Sequence, residues 1–588
     1  LLQWTTAAHT IRLFGRESKV GLLWRRMGGA PLLALVVGVL IVVLDPAVSP
    51  LAAPFLLAWL LSPQVAVWIS RPIRREKGQL TDEQHIRLRR LARRTWLFFE
   101  RFVGPEDHWL PPDHFQEDPR GLVAHRTSPT NIGLLLLSTL SAFEMGYIDP
   151  MNLVLRLRST LDTLDELERY RGHFLNWYDT RTLAPLTPRY VSTVDSGNLA
   201  ACLLALDQGA EDLVHLEILG WQRWEGLRDA LGVLLEVVAQ IEDEELETTV
   251  GSLRQHISDV RGRLRAARET PDQRASLLLE LVSGEIGESF DHLLAELIAH
   301  GASRLDAATL QDLRLWSERV HHHLRNMYEE LDMLLPWLIQ FERPPVLFSE
   351  APADGPIATA SEVLRDVFPA QVHLDEVARL CRAGHERLSA LQQALEEAAE
   401  DLDPEEQPDR AERLAAARAW CDELDEALES ARMTTRGLRI GLFGLSEHAQ
   451  RLFEAMEFGF LFDDQREVFY LGYRVQAEQL DTNHYDLLAS EARIASLVAI
   501  AKGDVPRDHW LHLARPLSRT DGIRMLLSWN GSMFEYLMPD LLMRSYEGTL
   551  LDQTNQAVVR RQIEYARQQD IPCWGISESG YYRFDAQM

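Results

Sequence analysis

Cysteine is scarce in this chain. Cys202, Cys381, Cys421 and Cys573 are scattered singly through 588 residues, with no Cys-x-x-Cys pair. That excludes a disulfide framework and a cysteine zinc site, and it suits a reducing compartment. Positive charge is also in deficit, the formal net charge being −28, which argues against nucleic acid as a partner. Neither a P-loop nor a G-x-G-x-x-G fingerprint is present, so the sequence offers no nucleotide site. One stretch runs against the acidic trend: Arg87, Arg89, Arg90, Arg93 and Arg94, followed by Trp96, Phe98 and Phe99. A nucleic-acid patch is one reading of it. A cytoplasmic helix near anionic lipid headgroups is the simpler one.

Charge is missing altogether from Met27 to Leu44 and again from Pro46 to Ser70, with only Asp45 between. Runs this aliphatic read as membrane helices, the first barely long enough to span and the second comfortably so. Two buried core helices are the alternative. Arg12, Arg16, Lys19, Arg25 and Arg26 precede the pair, and Arg71, Arg74, Arg75 and Lys77 follow it. By the positive-inside rule both outer ends are cytoplasmic and residues 1–79 form a membrane hairpin. A cleaved signal peptide does not fit two consecutive runs without a small-residue cleavage site. The chain starts at Leu1 and stops at Met588 shortly after a motif, which reads as a piece of a longer polypeptide.

Beyond residue 80 the texture changes twice. Residues 80–207 carry Pro and Gly turns between apolar helices. Between His173 and Asn198 lies an irregular stretch rich in Trp, Tyr, Asp, Thr and Pro, and long loops of this kind are often functional. Asp179, Asp195 and Asn198 are placed to hydrogen-bond sugar hydroxyls. A turn at Asp179 and a helix cap at Asp195 are the structural alternatives. Residues 208–436 are rich in Leu, Ala, Glu and Arg at helical spacing and read as an all-helical insertion. Within it, His321, His322 and His323 resemble a metal cluster, but consecutive helical residues point about 100° apart and cannot easily share an ion. From Gly437 to 588 aromatic, loop-rich texture returns. There Asp463-Asp464 reads as a hairpin turn between two short aromatic strands.

Three segments of this last part set a carboxylate among aromatic, Gly and Ser residues: Tyr485 to Arg493 with Asp486 and Glu491, Ser528 to Leu537 with Trp529 and Glu535, and Trp574 to Tyr582 with Glu578 and Tyr581. Glu491 falls on an apolar stripe from Leu487 to Ala499 that predicts a buried helix. Glu535 follows an Asn530-Gly531 turn, and Glu578 reads as a loop acid. Carboxylates among aromatic faces suit cleavage or transfer of glycosidic bonds, the aromatics stacking on sugar rings. No metal or other cofactor is needed, because carboxylates carry the proton transfer.

The segments YDLLASEAR, SWNGSMFEYLMPDLLM and WGISESGYY resemble the glycoamylase-like domain of cyclic β-1,2-glucan synthases. So do His125 to Gly133, Gly172 to Thr180 and Tyr190 to Leu199. The resemblance implies an all-α fold: an (α/α)6 barrel built from 80–207 and 437–588, interrupted by the helical insertion, truncated at its end and preceded by the transmembrane hairpin. It implies retaining transglycosylation that closes linear β-1,2-glucan into a ring. Glu491 and Glu578 are the favoured catalytic pair, with Glu535 as alternate. Trp177, Trp529, Trp574 and Tyr581 would stack on glucose, with Asp179, Asp195, Asn198, Tyr485 and Asp486 beside them. An inverting β-1,2-glucan hydrolase and a non-catalytic glucan-holding scaffold are the alternatives. The implied partners are β-1,2-glucan, the lipid bilayer, and a glycosyltransferase upstream and a phosphorylase-like domain downstream in the same polypeptide. The implied location is a bacterial inner membrane, with the catalytic domain facing the cytoplasm.

Overall fold

A computed structural model describes residues 27–69, 80–117, 120–352, 355–400, 406–520 and 522–577. The basic flanks on either side of the apolar runs, and the candidates Glu578 and Tyr581, lie outside the described residues. The chain divides into two compact units, Leu1–Thr81 and Asp82–Met588.

In the first unit, helices Gly29–Leu44 and Ser49–Ile69 are joined by a short 3-10 turn, Pro46–Val48. Asp45 caps that turn by accepting from Ala47 N at 3.2 Å. The two helices pack on each other and leave Val43, Leu44, Leu51 and Trp68 exposed. The segment Pro46–Ala66 is long and apolar enough to cross a membrane. Gly29–Leu44 has 16 residues, about 24 Å of helix against about 30 Å of bilayer hydrocarbon.

The second unit is mostly helical, with strands of two to four residues. Its helix starts are written locally. Ser128 caps Pro129–Glu144, Asp149 caps Pro150–Glu166 and Ser192 caps Thr193–Asp212, each side chain accepting an amide N–H three residues on. The cap of the last helix is therefore Ser192, and Asp195 occupies its first turn. Helix Thr193–Asp212 packs against Pro129–Glu144, against Pro408–Ala455 and against Arg493–Lys502. Gly197 makes the last contact close: a Cβ there would meet the Ala495 Cα at 2.5 Å.

Between the flanking parts run helices Trp221–Ala239, Glu247–Ala266, Glu285–Gly301, Ala307–Leu334 and Val377–Glu400, among others. They share one continuous apolar core with the flanks, which reaches from Trp96 to Met538. Helix Pro408–Ala455 runs unbroken through Gly437, where the sequence texture changes, and packs on Pro150–Glu166 and Thr193–Asp212. A buried ion pair, Arg223 Nε to Glu330 Oε2 at 3.0 Å, ties two helices of this part together. The three consecutive histidines diverge. His321 meets Asp291 at 2.5 Å, while the buried His323 meets the Arg223 carbonyl at 2.9 Å.

Short strands bring distant segments together. Tyr190–Ser192 pairs antiparallel with Gly472–Arg474, and Arg126–Thr127 pairs with Tyr178–Asp179. Phe462–Asp463 and Val468–Tyr470 form the antiparallel pair around Asp463-Asp464. Val468–Tyr470 also pairs with His484–Tyr485. A smaller separate core holds Leu488, Leu513, Leu526, Tyr536 and Val558.

Candidate functional site

The predicted helix at Glu491 starts later than expected. Leu487 is held in a parallel bridge to Ala514, with Leu488 N donating to the Ala514 carbonyl at 3.0 Å and Ala514 N to the Asp486 carbonyl at 2.6 Å. This non-local pairing keeps the chain extended despite its apolar stripe. Helix Arg493–Lys502 begins only after Glu491. Ser490 turns the chain, its Oγ accepting from Ala492 N at 3.2 Å. Glu491 therefore sits half-buried on the turn at the helix entrance, not inside a buried helix.

Around it runs a chain of side-chain hydrogen bonds from four sequence segments. Asn198 Nδ2 donates to Glu491 Oε2 at 3.2 Å and lies 3.1 Å from Thr130 Oγ1. Thr130 Oγ1 donates to Asp195 Oδ1 at 2.6 Å. Asn176, with its amide oriented to satisfy both neighbours, donates to Asp195 Oδ2 at 2.9 Å and accepts from Trp177 Nε1 at 3.1 Å. The Arg126 guanidinium lies 5.2 Å from the centre of the Trp177 ring and is held by Asp113 at 3.0 Å. Burial raises the Asp195 carboxyl above its ordinary range, against the pull of hydrogen bonds from Thr130 and Ser192. Burial, then the negative charges of Glu491 and Asp195, raises the Tyr485 hydroxyl, so that it stays a protonated donor at neutral pH.

The other candidates have more local duties. Asp179 Oδ1 accepts from Arg181 N at 3.0 Å and Thr182 N at 2.8 Å, closing its own turn. Burial acts to raise its carboxyl, but these hydrogen bonds together hold it below the usual range. Asp486 is exposed and contributes its main chain to the Ala514 bridge. Glu535 is only 3% exposed. Its oxygens accept from the backbone amides of Trp529 at 2.9 Å, Asn530 at 3.0 Å and Gly531 at 3.3 Å. Ser532 caps the short helix Met533–Leu537 by accepting from Glu535 N, while Ser532 N donates to Asn530 Oδ1 at 2.9 Å.

This folded loop presents Trp529 53% exposed. The segment carrying Trp574 lies against it. Met533 N donates to the Ile576 carbonyl at 2.8 Å, and Gln562 bridges both by accepting from Ile576 N at 2.5 Å and donating to the Gly531 carbonyl at 2.7 Å. Trp574 is 49% exposed.

Arg493 joins the two groups. Its buried guanidinium donates to the Ser490 carbonyl at 3.2 Å and the Tyr536 carbonyl at 3.0 Å. Burial lowers its pKa to about 10, opposed by the Asp540 carboxylate, so it remains a cation at neutral pH. Sequence reasoning nominated neither Arg493 nor Thr130 nor Asn176. All three lie within the motif segments, and that is the signal that marks them.

No protein-family model matches the chain. The whole chain aligns at 34% identity over 597 positions with cyclic β-(1,2)-glucan synthase NdvB of Rhizobium meliloti strain 1021, and it spans 17% of that protein's length. A crystal structure from Bacteroides fragilis NCTC 9343, provisionally named a glucoamylase, matches 23% of this chain and 33% of its own at 20% identity. Its TM-score of 0.19 is too low to carry an argument about the fold. The relationship stands on the sequence alignment: along its whole length, this chain is a relative of one segment of a cyclic β-(1,2)-glucan synthase.

Proposed function

We propose that this chain is the glucan-remodelling part of a cyclic β-1,2-glucan synthase, acting by retaining transglycosylation on linear β-1,2-glucan to release rings. The observation that carries the reading is the setting of Glu491: half-buried, reached by Asn198, and linked through Thr130, Asp195 and Asn176 to Trp177. Such a carboxylate is oriented by a chain of polar partners that reaches an indole, a setting that suits glycosyl transfer. In the proposed mechanism Glu491 pairs with Glu578, one as nucleophile and the other as acid/base. A retaining pair would stand about 5–5.5 Å apart. The exposed Trp529 and Trp574 offer faces for successive glucose rings.

The proposal extends to architecture. The helices flanking 208–436 are the parts of an (α/α)6 barrel. Residues 27–69 anchor the chain as a hairpin in the cytoplasmic membrane with the catalytic unit on the cytoplasmic side. Glycosyltransferase and phosphorylase-like domains belong to the same polypeptide. The fraction of the relative's length that this chain spans supports further domains in the same polypeptide, and the apolar helix Pro46–Ala66 supports the anchor.

The test is incubation of the detergent-solubilised chain with linear β-1,2-glucan. Cyclic product is expected. Short reducing oligosaccharides alone would replace transglycosylation by hydrolysis, and unchanged polymer would leave a binding role. Azide rescue of either Glu491→Gln or Glu578→Gln would identify the nucleophile.

A further inference from the structure

A polar cavity is lined by none of the residues of the motif segments. It encloses about 500 Å³ where helices Asp82–Phe102, Trp221–Ala239 and Glu247–Ala266 meet, and it is lined by five arginines against three acids. The acids are largely spoken for. Asp229 binds Arg89 at 2.8 Å, Glu225 lies 3.7 Å from the same guanidinium, and Asp82 is exposed in the first turn of its helix. Arg228, Arg261 and Arg265 are left without an ion pair among the described residues. Arg261 and Arg265 are four apart and therefore share a helix face, and Arg228 faces them from the neighbouring helix.

The Nε atoms of Arg228 and Arg261 are buried with no hydrogen-bond partner. Burial, then the nearby cations Arg90, Arg228 and Arg265, lowers the pKa of Arg261. Burial and then Arg265 lower that of Arg228. Like charges are thus gathered around one space. A position in the last helical turn accounts for Arg265 through the helix dipole. It does not account for Arg228 or Arg261, which lie further from their helix ends. The rim is held firmly: Arg274 lies 5.7 Å and Arg268 5.5 Å from the centre of the Trp221 ring, and Arg274 Nε donates to the Ala267 carbonyl at 3.1 Å.

We propose that this cavity is a binding site for a phosphate-bearing anion, held by Arg228, Arg261 and Arg265. Planar guanidinium forks match phosphate oxygens two at a time. The two positive charges left over in the lining favour a phosphate group, whose oxygens the guanidinium forks can share, over a single carboxylate. A cavity of this size is within the ordinary range for small-molecule sites. The source is either a soluble diphosphate or a phospholipid headgroup, since the recognition chemistry is the same. This site is independent of the glucan chemistry proposed above.

The experiment uses the full chain in a zwitterionic detergent, with inorganic pyrophosphate as the soluble probe. Nanodiscs of phosphatidylcholine with or without phosphatidylglycerol, analysed by native mass spectrometry, serve as the lipid probe. Pyrophosphate or bound phosphatidylglycerol is expected to raise the melting temperature of the wild type. Affinity for that probe should fall about tenfold or more in R228Q/R261Q, the loss of two charge-assisted contacts. Without ligand the double variant should melt no lower than the wild type, because it removes mutual repulsion. Should it fail to fold, the exposed R265Q replaces it, with the same direction expected. Binding by pyrophosphate alone assigns the soluble source, and retention of phosphatidylglycerol alone assigns the lipid. Equal binding by wild type and variant, or binding of neither probe, overturns the proposal.

Discussion

Glu330 and Glu491 show two ways in which this chain places a carboxylate away from bulk water. Glu330, in the helical stretch, is 3% exposed. Its Oε2 accepts from Arg223 Nε at 3.0 Å and its Oε1 from Leu219 N at 3.2 Å. Burial raises its pKa, and the Arg223 cation works against that rise. The pair is closed on all sides by core. Glu491 is half-buried at a helix entrance and is reached by an amide from a helix 293 residues earlier. A buried charge matched one-to-one is a structural joint. A half-buried charge oriented by a polar chain that ends on an indole is the setting proposed above for a reactive group. The difference is one of surroundings, since the residue type is the same.

The largest effect expected from breaking this comparison is at Glu491. Glu491→Gln keeps shape and hydrogen bonding but removes the ionisable proton. Ring formation from linear β-1,2-glucan should fall about 10²–10⁴-fold, the usual range for losing a general acid or base, with glucan affinity retained. Product analysis by chromatography, with glucan binding measured separately, checks both halves. A variant that still cyclises at the wild-type rate would remove Glu491 from the chemistry.

Glu330→Gln should do the reverse. It leaves Arg223 buried without its counter-charge, which costs about 3–5 kcal/mol. Denaturant unfolding should show the loss, while the rate per folded molecule changes little. A loss of rate without loss of stability would contradict the division drawn here.

The third effect is a pH dependence, at His173. This ring is fully buried and meets the Glu457 carbonyl through Nε2 at 2.8 Å. Burial lowers its pKa to about 4, opposed by that hydrogen bond. The folded pKa is depressed below the ordinary value of about 6.5, so between those values the unfolded chain binds more protons. The stabilisation is therefore complete above about pH 6.5 and is lost as pH falls through about 4, a swing of roughly 3 kcal/mol. His173→Gln should flatten the stability profile over that window. An unchanged profile would assign the acid sensitivity to other groups.

Much of this was legible in the sequence where the cause is local. The Asp463 hairpin, the diverging histidines and the helical texture of 208–436 all follow from spacing within a few residues. What could not be read is what long-range pairing decides. The apolar stripe at Leu487 predicts a helix, but a bridge to Ala514 holds that stretch extended. Arg223 and Glu330 are 107 residues apart, and no pattern in either helix announces the pair. The Asn198–Glu491 contact depends on the close approach that Gly197 permits. Motif membership singles out segments, but which polar side chain in each segment meets Glu491 or its partners is decided by packing.

The smallest expected effect sharpens the comparison within the motifs themselves, between Glu535 and Glu491. Glu535 gathers three amides of its own loop, so its carboxylate is spent on the shape that holds Trp529 out. Gln in its place keeps one acceptor oxygen and turns an NH2 group toward backbone N–H donors. The local cost should be about 1–3 kcal/mol, that of donors left unsatisfied. The loop would loosen where the exposed Trp529 is proposed to meet glucan. Binding should weaken severalfold while kcat stays within a few-fold of wild type, because the interaction lost would be made equally in the ground and transition states. A Trp529→Ala variant should reproduce the binding defect, and combining it with Glu535→Gln should add little, because both act through the same ring. If Glu535→Gln instead loses turnover outright while Glu491→Gln keeps it, the two carboxylates exchange roles, and saturation by backbone amides is no mark of a structural acid in this site.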